Sequence, residues 1–237
     1  MGKIGNLLDF RDFEHEGPAM AKGSDADSAG RESIWDIWPV LLLAAVLIAI
    51  EVVLVIGPGQ LRPNGLRNQV LEYTAFWPGL LRSWVPNYPQ QPWAMFITYG
   101  FVHAGSVHLL VNVITLVSLG RLILGRFTAW AFGVLYFAAM VGGAVGFALL
   151  AAGTQPMVGS SGALFGLAGA VLALEYVDRS SEDRSSWPVV RAVGFLVVLN
   201  VVLWWAMNGL LAWQTHLGGF VIGWIMALAL DSERQNK

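Results

Sequence analysis

Six long apolar runs constrain the fold of this chain more than any other feature of its sequence. Each run is close to the ~20 residues that an α-helix needs to cross a hydrocarbon core of ~30 Å. Because unpaired backbone groups are costly in lipid, runs of this length are expected to fold as helices. The sequence therefore predicts an all-α, polytopic membrane protein with a bundle of six transmembrane helices, at about 38–57, 106–122, 128–150, 161–177, 188–207 and 213–230.

Composition excludes several other classes of protein. Hydrophobic residues make up 56% of the 237 residues and charged residues only 13%, which is too apolar for a water-soluble domain of this size. The net charge is −2 and the basic residues are scattered, so no nucleic-acid partner is expected. The chain contains no cysteine, which excludes disulfides, thiolate metal ligands and a cysteine nucleophile.

Polar and apolar segments divide the chain into three parts. Residues 1–34 mix acids, bases, glycine and serine and cannot bury a core, which predicts a disordered cytoplasmic tail. Residues 35–231 are predicted to form the six-span domain, and 232–237 a short cytoplasmic C-terminal tail. Within the domain, the Pro- and Trp-containing stretch 58–92 is predicted to be a loop on the membrane interface with some amphipathic helical turns.

The distribution of lysine and arginine predicts the orientation of the chain. With the N-terminus inside the cell, most of these residues fall on the cytoplasmic side, whereas the outer connections carry only Arg62, Arg67 and Arg82. Basic residues are disfavoured on the translocated side of a membrane. We therefore expect a multi-pass protein of the cell inner (plasma) membrane with both termini in the cytoplasm.

The few polar residues within the spans lie at a common depth. At ~1.5 Å per helical residue, Ser161, His216 and His108 each lie roughly 20–22 Å above the cytoplasmic end of their own span. Asn112 follows His108 by one helical turn and shares its face. Since unpaired polar groups are costly in lipid, this layer indicates a functional site about 10 Å below the outer surface, opening to the outer side.

The residue types in this layer are those that hydrolysis by a serine nucleophile requires. A neutral serine hydroxyl attacks poorly, and an imidazole can accept its proton at ordinary pH. Ser161 and His216 are the candidate nucleophile and base. The oxyanion of the tetrahedral intermediate needs hydrogen-bond donors, for which His108, Asn112 and the Ser161 backbone N–H are the candidates.

Glycines accompany both candidate catalytic residues. Gly159 and Gly162 flank the serine, and Gly219 and Gly223 follow the histidine. Small residues allow membrane helices to approach closely. A hydroxyl and an imidazole on different helices reach hydrogen-bonding distance, ~3 Å, only when those helices nearly touch, so the glycines are predicted to support the site structurally.

Three motifs together resemble those of the rhomboid family of intramembrane serine proteases. Gly159–Gly162 matches the family's GxSG, His216–Gly223 matches its HxxGxxxG, and His103–Asn112 matches its HxxxxHxxxN. The resemblance covers about residues 93–230. GxSG alone is a weak signal, whereas three motifs in family order on the expected spans are a specific one.

The resemblance implies both a mechanism and a class of substrate. It implies a Ser161–His216 dyad that works without a third acid, with His108 and Asn112 around the oxyanion. It also implies substrates that are single-span membrane proteins, unwound near helix-breaking residues to expose the scissile bond. No cofactor and no metal is expected.

Two positions differ from the pattern that is frequent in the family. Ala94 rather than Arg follows Trp93, and Leu124 stands where a Glu is frequent after the second span. Neither position is catalytic in the family.

Several further residues within or near the spans leave alternatives open. His103 is expected to brace the loop before span two rather than to act chemically. Glu51, an acid inside span one, is either a functional group or, as we favour, a snorkelling side chain or the partner of a donor in a loop. Trp204 and Trp205 either flank lateral access for a substrate or anchor span five at the interface, and Asn200 is expected to bond to a neighbouring helix.

Two other functions stand as alternatives to a protease. A rhomboid-like protein without activity would bind membrane clients without cutting them, although the intact Ser161 and His216 argue against it. A small proton-coupled transporter would use Glu51 with His103, His108 and His216, although its ionisable residues should span the full depth of the membrane. A zinc site formed by these three histidines lacks an accompanying carboxylate or HExxH motif.

Overall fold

The computed structural model describes residues 34–58 and 65–235, which fold into helices and their connections. The all-α fold class predicted from the sequence is confirmed for these residues. The predicted tail 1–34 lies outside them apart from Ile34. In chain order the helices are α1 (Trp38–Ile56), α2 (Leu66–Thr74), α3 (Gln91–Thr98), α4 (Ser106–Leu124), α5 (Ala129–Leu150), α6 (Ser161–Ser181), α7 (Trp187–Ala206) and α8 (Trp213–Gln235), with 3₁₀ turns at Ile34–Ile37, Pro78–Leu81 and Tyr99–Phe101.

Six of the described helices, α1 and α4 to α8, are long and apolar enough to cross a membrane. Their bounds follow the predicted runs closely, but α6 continues to Ser181 and α8 to Gln235. Residues 232–235 therefore extend the last helix, and their predicted place in a cytoplasmic tail stays a prediction. Hydrophobicity marks where a helix leaves the hydrocarbon, whereas polar helix formers such as Glu and Gln allow the helix to continue into water.

The stretch between α1 and α4 is tied to the bundle by hydrogen bonds. Gln91, which is buried, donates from Nε2 to the Glu72 carbonyl at 2.8 Å. Phe76 and Met157 exchange two backbone hydrogen bonds of 2.9 and 3.0 Å in an antiparallel bridge. The bridge attaches the stretch to the segment that leads into α6. Its predicted position on the membrane interface stays a prediction.

A seam of glycines brings α6 and α8 into backbone contact. A Cβ atom on Gly219 would collide with the carbonyl oxygen of Gly162, and one on Gly223 would collide with that of Gly166. These positions have room only for hydrogen, which is how small residues permit close packing of membrane helices. The seam runs through the first half of both helices, where Ser161 and His216 also lie.

An ion cluster joins the opposite ends of α6 and α8. Arg126, in the connection between α4 and α5, donates to Asp178 at 2.5 Å and to both carboxylate oxygens of Asp231 at 3.0 Å. The hydrogen bond to Asp231, followed in size by the hydrogen bond to Asp178, raises the pKa of the Arg126 guanidinium above its usual value. A bidentate pair of this kind fixes geometry as well as charge. The cluster therefore fixes the spacing of α6 and α8 at the end remote from the serine.

α7 is packed much more loosely than its neighbours. Val189 is the one buried residue within Trp187–Ala206. Side chains such as Val198 and Val201 are 60% exposed, as expected for a helix that faces lipid on most of its surface. A polar side chain of α7 that does contact another helix of the bundle is therefore a candidate for a specific structural or functional role.

Candidate active site

Ser161 and His216 meet at the beginnings of α6 and α8. The Ser161 hydroxyl oxygen lies 2.9 Å from Nε2 of His216. Ser161 is the first residue of α6, and the turn before it passes through Gly159 at φ +108°, a conformation that favours glycine. This turn places the serine where α6 starts, so that its backbone N–H has no partner within the helix.

The His216 ring is held on two further sides. Phe165, one turn after Ser161 on α6, stacks on the ring with centroids 4.1 Å apart and planes 8° apart. Nδ1 of His216 lies 2.6 Å from Oδ1 of Asn200 on α7. The histidine is 6% exposed, so these contacts rather than water determine its orientation. The sequence predicts that Asn200 bonds to a neighbouring helix, but it indicates neither His216 as the partner nor the contact of Phe165 with that ring.

His108 lies directly against the turn that precedes Ser161. A Cβ atom on Gly159 would stand 2.6 Å from Cε1 of His108 and 2.9 Å from its Nε2. Gly159 is therefore required both for its positive φ and for the space that the imidazole occupies. The structure thus brings His108 to the same turn as the candidate nucleophile.

Asn112 offers an unused donor on the same helix as His108. Its side chain is 4% exposed, and Nδ2 has no hydrogen-bond partner within the described residues. A buried donor without a partner costs free energy, and such exceptions call for an explanation. A site that donates to an anion formed during a reaction would explain it.

His103 braces the turn from the other side. Its Nε2 lies 3.3 Å from the Ser160 hydroxyl and accepts from the Ser160 backbone N–H at 3.4 Å, and its ring packs edge-on against His108 at 5.1 Å. Burial, reinforced by His108 and opposed by Glu51, lowers the pKa of His103 to about 4. The imidazole is therefore neutral at ordinary pH. His103 thus contacts the turn before Ser161 through Ser160 and His108, and its bracing role stays a prediction.

Glu51 connects three elements around this loop. Its carboxylate accepts from Arg67 of α2 at 2.8 and 3.2 Å and from the Ser106 hydroxyl at 3.0 Å. Arg67 also donates to the His103 carbonyl oxygen at 2.9 Å. Of the alternatives for Glu51, the structure supports pairing with a donor in a loop. Arg67 thereby anchors the main chain at His103.

An apolar cavity of about 550 Å³ lies between α6, α7 and α8. Asn200 and His216 form the polar part of its wall, and Trp204 and Trp213 line it. Trp205 does not line it and is 77% exposed. Of the two tryptophans considered for lateral access, only Trp204 thus faces this cavity. In the described part of the chain, His103, His108 and His216 do not form a group that could hold a metal ion.

Comparison with known proteins identifies the family. The family model of the Rhomboid domain matches residues 89–232, more than half of the chain. The chain is 34% identical to RHOMBOID-like protein 1 of Arabidopsis thaliana, over 56% of this chain and 33% of that protein. It is 29% identical to RHOMBOID-like protein 5 of the same plant, over 55% of this chain and 41% of that protein.

A bacterial relative shows a similar level of identity. The chain is 28% identical to the Rhomboid protease GluP of Bacillus subtilis (strain 168), over 60% of this chain and 27% of that protein. The matched part is less than half of the length of each of these relatives. The extent of the domain match, on a bundle with six helices of membrane-crossing length, shows that the chain is a multi-pass membrane protein of the rhomboid family.

Proposed function

We propose that this chain is an intramembrane serine endopeptidase that hydrolyses peptide bonds in or next to transmembrane segments of other proteins. The observation that carries the proposal is the 2.9 Å contact between Oγ of Ser161 and Nε2 of His216. At this distance an imidazole can take the proton of the attacking hydroxyl. The name of one relative, the Rhomboid protease GluP, supports the same reaction class.

In the proposed reaction, Oγ of Ser161 attacks the scissile carbonyl carbon while Nε2 of His216 takes the hydroxyl proton. The oxyanion accepts hydrogen bonds from the Ser161 backbone N–H and from the side chains of His108 and Asn112. The imidazolium then gives its proton to the leaving amine, and an acyl-enzyme ester forms. Water attacks the ester with His216 again as base, which releases the new carboxylate and restores the serine.

The proposed substrates are single-span membrane proteins. The wall of the cavity between α6, α7 and α8 is almost wholly apolar and includes His216, which suits a hydrophobic segment that approaches from the bilayer. A short unwound part of such a segment would expose its peptide bond to Ser161. The reaction needs no cofactor, and no nucleic acid takes part.

We further propose an inner (plasma) membrane location with both termini in the cytoplasm and the site opening to the outer side. The charged cluster of Arg126, Asp178 and Asp231 at the remote ends of the helices agrees with a cytoplasmic surface there. Because the chain has no cysteine, single cysteines can report the topology. A membrane-impermeant maleimide added to intact cells should label Val85→Cys but not Glu182→Cys; the reverse pattern would invert the proposed orientation.

The activity is tested with the purified chain in liposomes that contain a single-span substrate. Wild type should cleave, and Ser161→Ala should not. Ser118→Ala is the matched control, because its hydroxyl donates to the Ile114 carbonyl of its own helix at 2.8 Å and is remote from Ser161 and His216 in sequence. A fluorophosphonate should label wild type and Ser118→Ala, and labelling should be lost in Ser161→Ala and His216→Ala.

The outcomes separate the proposed protease from its alternatives. Equal cleavage by wild type and Ser161→Ala would contradict a serine mechanism. Binding of the substrate without cleavage or labelling would favour an inert client-binding protein. Proton uptake driven by a solute gradient, again without cleavage, would favour the transporter.

A further inference from the structure

Both ring nitrogens of His216 are engaged in the structure. Nε2 lies 2.9 Å from the Ser161 hydroxyl, and Nδ1 lies 2.6 Å from Oδ1 of Asn200. A neutral imidazole carries its proton on one nitrogen and a lone pair on the other, and the partner of one nitrogen determines which is which. Whether Asn200 faces the ring with its amide oxygen or its amide nitrogen therefore decides which ring nitrogen of His216 carries the proton.

A second hydrogen bond sets the orientation of the Asn200 amide. Its Nδ2 donates to the Leu196 carbonyl oxygen of the preceding turn at 2.9 Å. A carbonyl oxygen only accepts, so the nitrogen of the amide must face Leu196 and the oxygen must face His216. Because the amide oxygen also only accepts, Nδ1 of His216 carries the proton. The lone pair of the ring then lies on Nε2, which faces Ser161.

We propose that Asn200 is a positioning residue of the hydrolysis, so that the working unit is Ser161–His216–Asn200 rather than a dyad. The inference rests on the proposed protease function. Asn200 selects the tautomer whose Nε2 can accept the serine proton, and it continues to accept from Nδ1–H when the ring becomes an imidazolium. It has no contact with the serine and acts on the serine only through the histidine.

The surroundings explain why the third group is an amide. Asn200 lines the apolar cavity beside side chains such as Val193 and Val197. A carboxylate there would be a charge in hydrocarbon surroundings, which is costly without a partner. A neutral amide offers the same acceptor oxygen without that cost.

Asn200 and Phe165 hold the ring in different ways. Phe165 stacks on the face of the imidazole and limits its tilt, but a stacked ring can carry its proton on either nitrogen. Asn200 binds in the plane of the ring and distinguishes the two nitrogens. Because α7 has little other buried surface, this bond is also a specific polar link between α7 and α8.

The test compares Asn200→Leu, which removes the acceptor at similar volume, with Asn200→Asp, which keeps it. Val198→Ala is the matched control on the exposed face of α7. Asn200→Leu should lower kcat for cleavage about 10- to 100-fold, as loss of an orienting partner does elsewhere, with KM changed less than about two-fold. Fluorophosphonate labelling should slow in parallel, and Val198→Ala should match wild type.

The pH dependence of Asn200→Asp distinguishes a positioning role of Asn200 from a merely structural one. It should retain much more activity than Asn200→Leu, and the pH at which activity falls to half on the acidic side should rise, because a carboxylate stabilises the imidazolium. Wild-type kcat in a folded Asn200→Leu would overturn the inference while leaving the dyad intact. If Asn200→Leu does not fold, an unchanged pH profile in Asn200→Asp overturns it. Absence of cleavage and labelling in wild type would overturn the proposed function and the inference with it.

Discussion

Gly219 of α8 lies against the carbonyl oxygen of Gly162 of α6, at the position where any other residue would carry its Cβ. The contact is between two backbones, so neither side can yield by changing a rotamer. Ser161 directly precedes Gly162, and His216 lies less than one turn before Gly219. The distance between the candidate nucleophile and base therefore depends on this glycine contact.

The first prediction concerns that contact. Gly219→Ala should force α6 and α8 apart and destabilise the protein by about 1–3 kcal/mol, the usual cost of overpacking. The control is Gly194→Ala on α7, where an added Cβ meets nothing within 4 Å. Melting in detergent and the rate of fluorophosphonate labelling measure stability and site geometry. Equal melting temperatures for the two variants would show that the seam can relax.

The second prediction concerns the proposed oxyanion donors. Asn112→Ala should lower kcat about 10²- to 10³-fold with little change in KM, because the donor is used only when negative charge develops. Thr115→Ala on the same helix is the control, since its hydroxyl bonds to the Val111 carbonyl of its own turn. Steady-state cleavage in liposomes gives both constants. A rise in KM at unchanged kcat would instead assign Asn112 to substrate binding.

The third prediction concerns the pair formed by Glu51 and Arg67. Their side chains are 5% and 19% exposed, so removal of one partner leaves a poorly solvated charge. Arg67→Met should lower the melting temperature in detergent, by an amount equivalent to about 1–3 kcal/mol. The double variant Glu51→Met with Arg67→Met should cost less than the sum of the single ones.

An exposed ion pair provides the comparison for this double-mutant cycle, which consists of the two single variants and the double variant of Glu51 and Arg67. Arg184 and Glu182 are paired at 2.6 Å with side chains 47% and 60% exposed. Arg184→Met should change stability little, because exposed pairs contribute about 0–1 kcal/mol. Strict additivity in the Glu51–Arg67 cycle would show that the two side chains are not coupled.

The fourth prediction concerns pH. Burial lowers the pKa of His103 to about 4 from its usual 6.5. The unfolded chain therefore binds this proton between pH about 6.5 and about 4 while the folded chain does not, so stability is complete above that window and falls as pH decreases through it. Melting temperatures at pH 7.5 and pH 5 measure the effect. His103→Gln should show a smaller decrease between these pH values than wild type, and an equal decrease would assign the sensitivity to other groups.

Much of the fold follows from the sequence because hydrophobic length determines which segments can cross lipid. A common depth of Ser161 and His216 in the membrane stays a prediction from counting residues along their helices; the structure shows their side chains 2.9 Å apart at the beginnings of α6 and α8. Depth does not reveal how each helix is rotated or which helices are neighbours. For that reason the contact between Asn200 and His216, which joins consecutive helices across their connection, could not be derived, although a lone amide in an apolar span was a signal.

For a related reason, the sequence does not predict which residue pairs with Glu51. Arg67 lies on α2, a short helix within the stretch that is predicted from the sequence to be an interfacial loop with some amphipathic helical turns. Its guanidinium reaches Glu51 and the His103 carbonyl because α2 packs against α1 and α3. The conformation of such a stretch depends on many individual contacts, such as the hydrogen bonds of the Gln91 side chain, and not on the periodicity of hydrophobic residues in the sequence.

The hydrogen bonds of Arg67 bear on how much of the chain the proposed protease needs. The recognised domain match begins at residue 89, yet the Arg67 guanidinium that donates to the His103 carbonyl oxygen precedes it, and so does the Glu51 carboxylate that pairs with this guanidinium. A truncated chain that starts with the domain match would contain every proposed catalytic group but would lack the side chains that hold the loop at His103, directly before α4. We therefore expect the first membrane helix and α2 to be required, together with the matched domain, for the proposed protease activity.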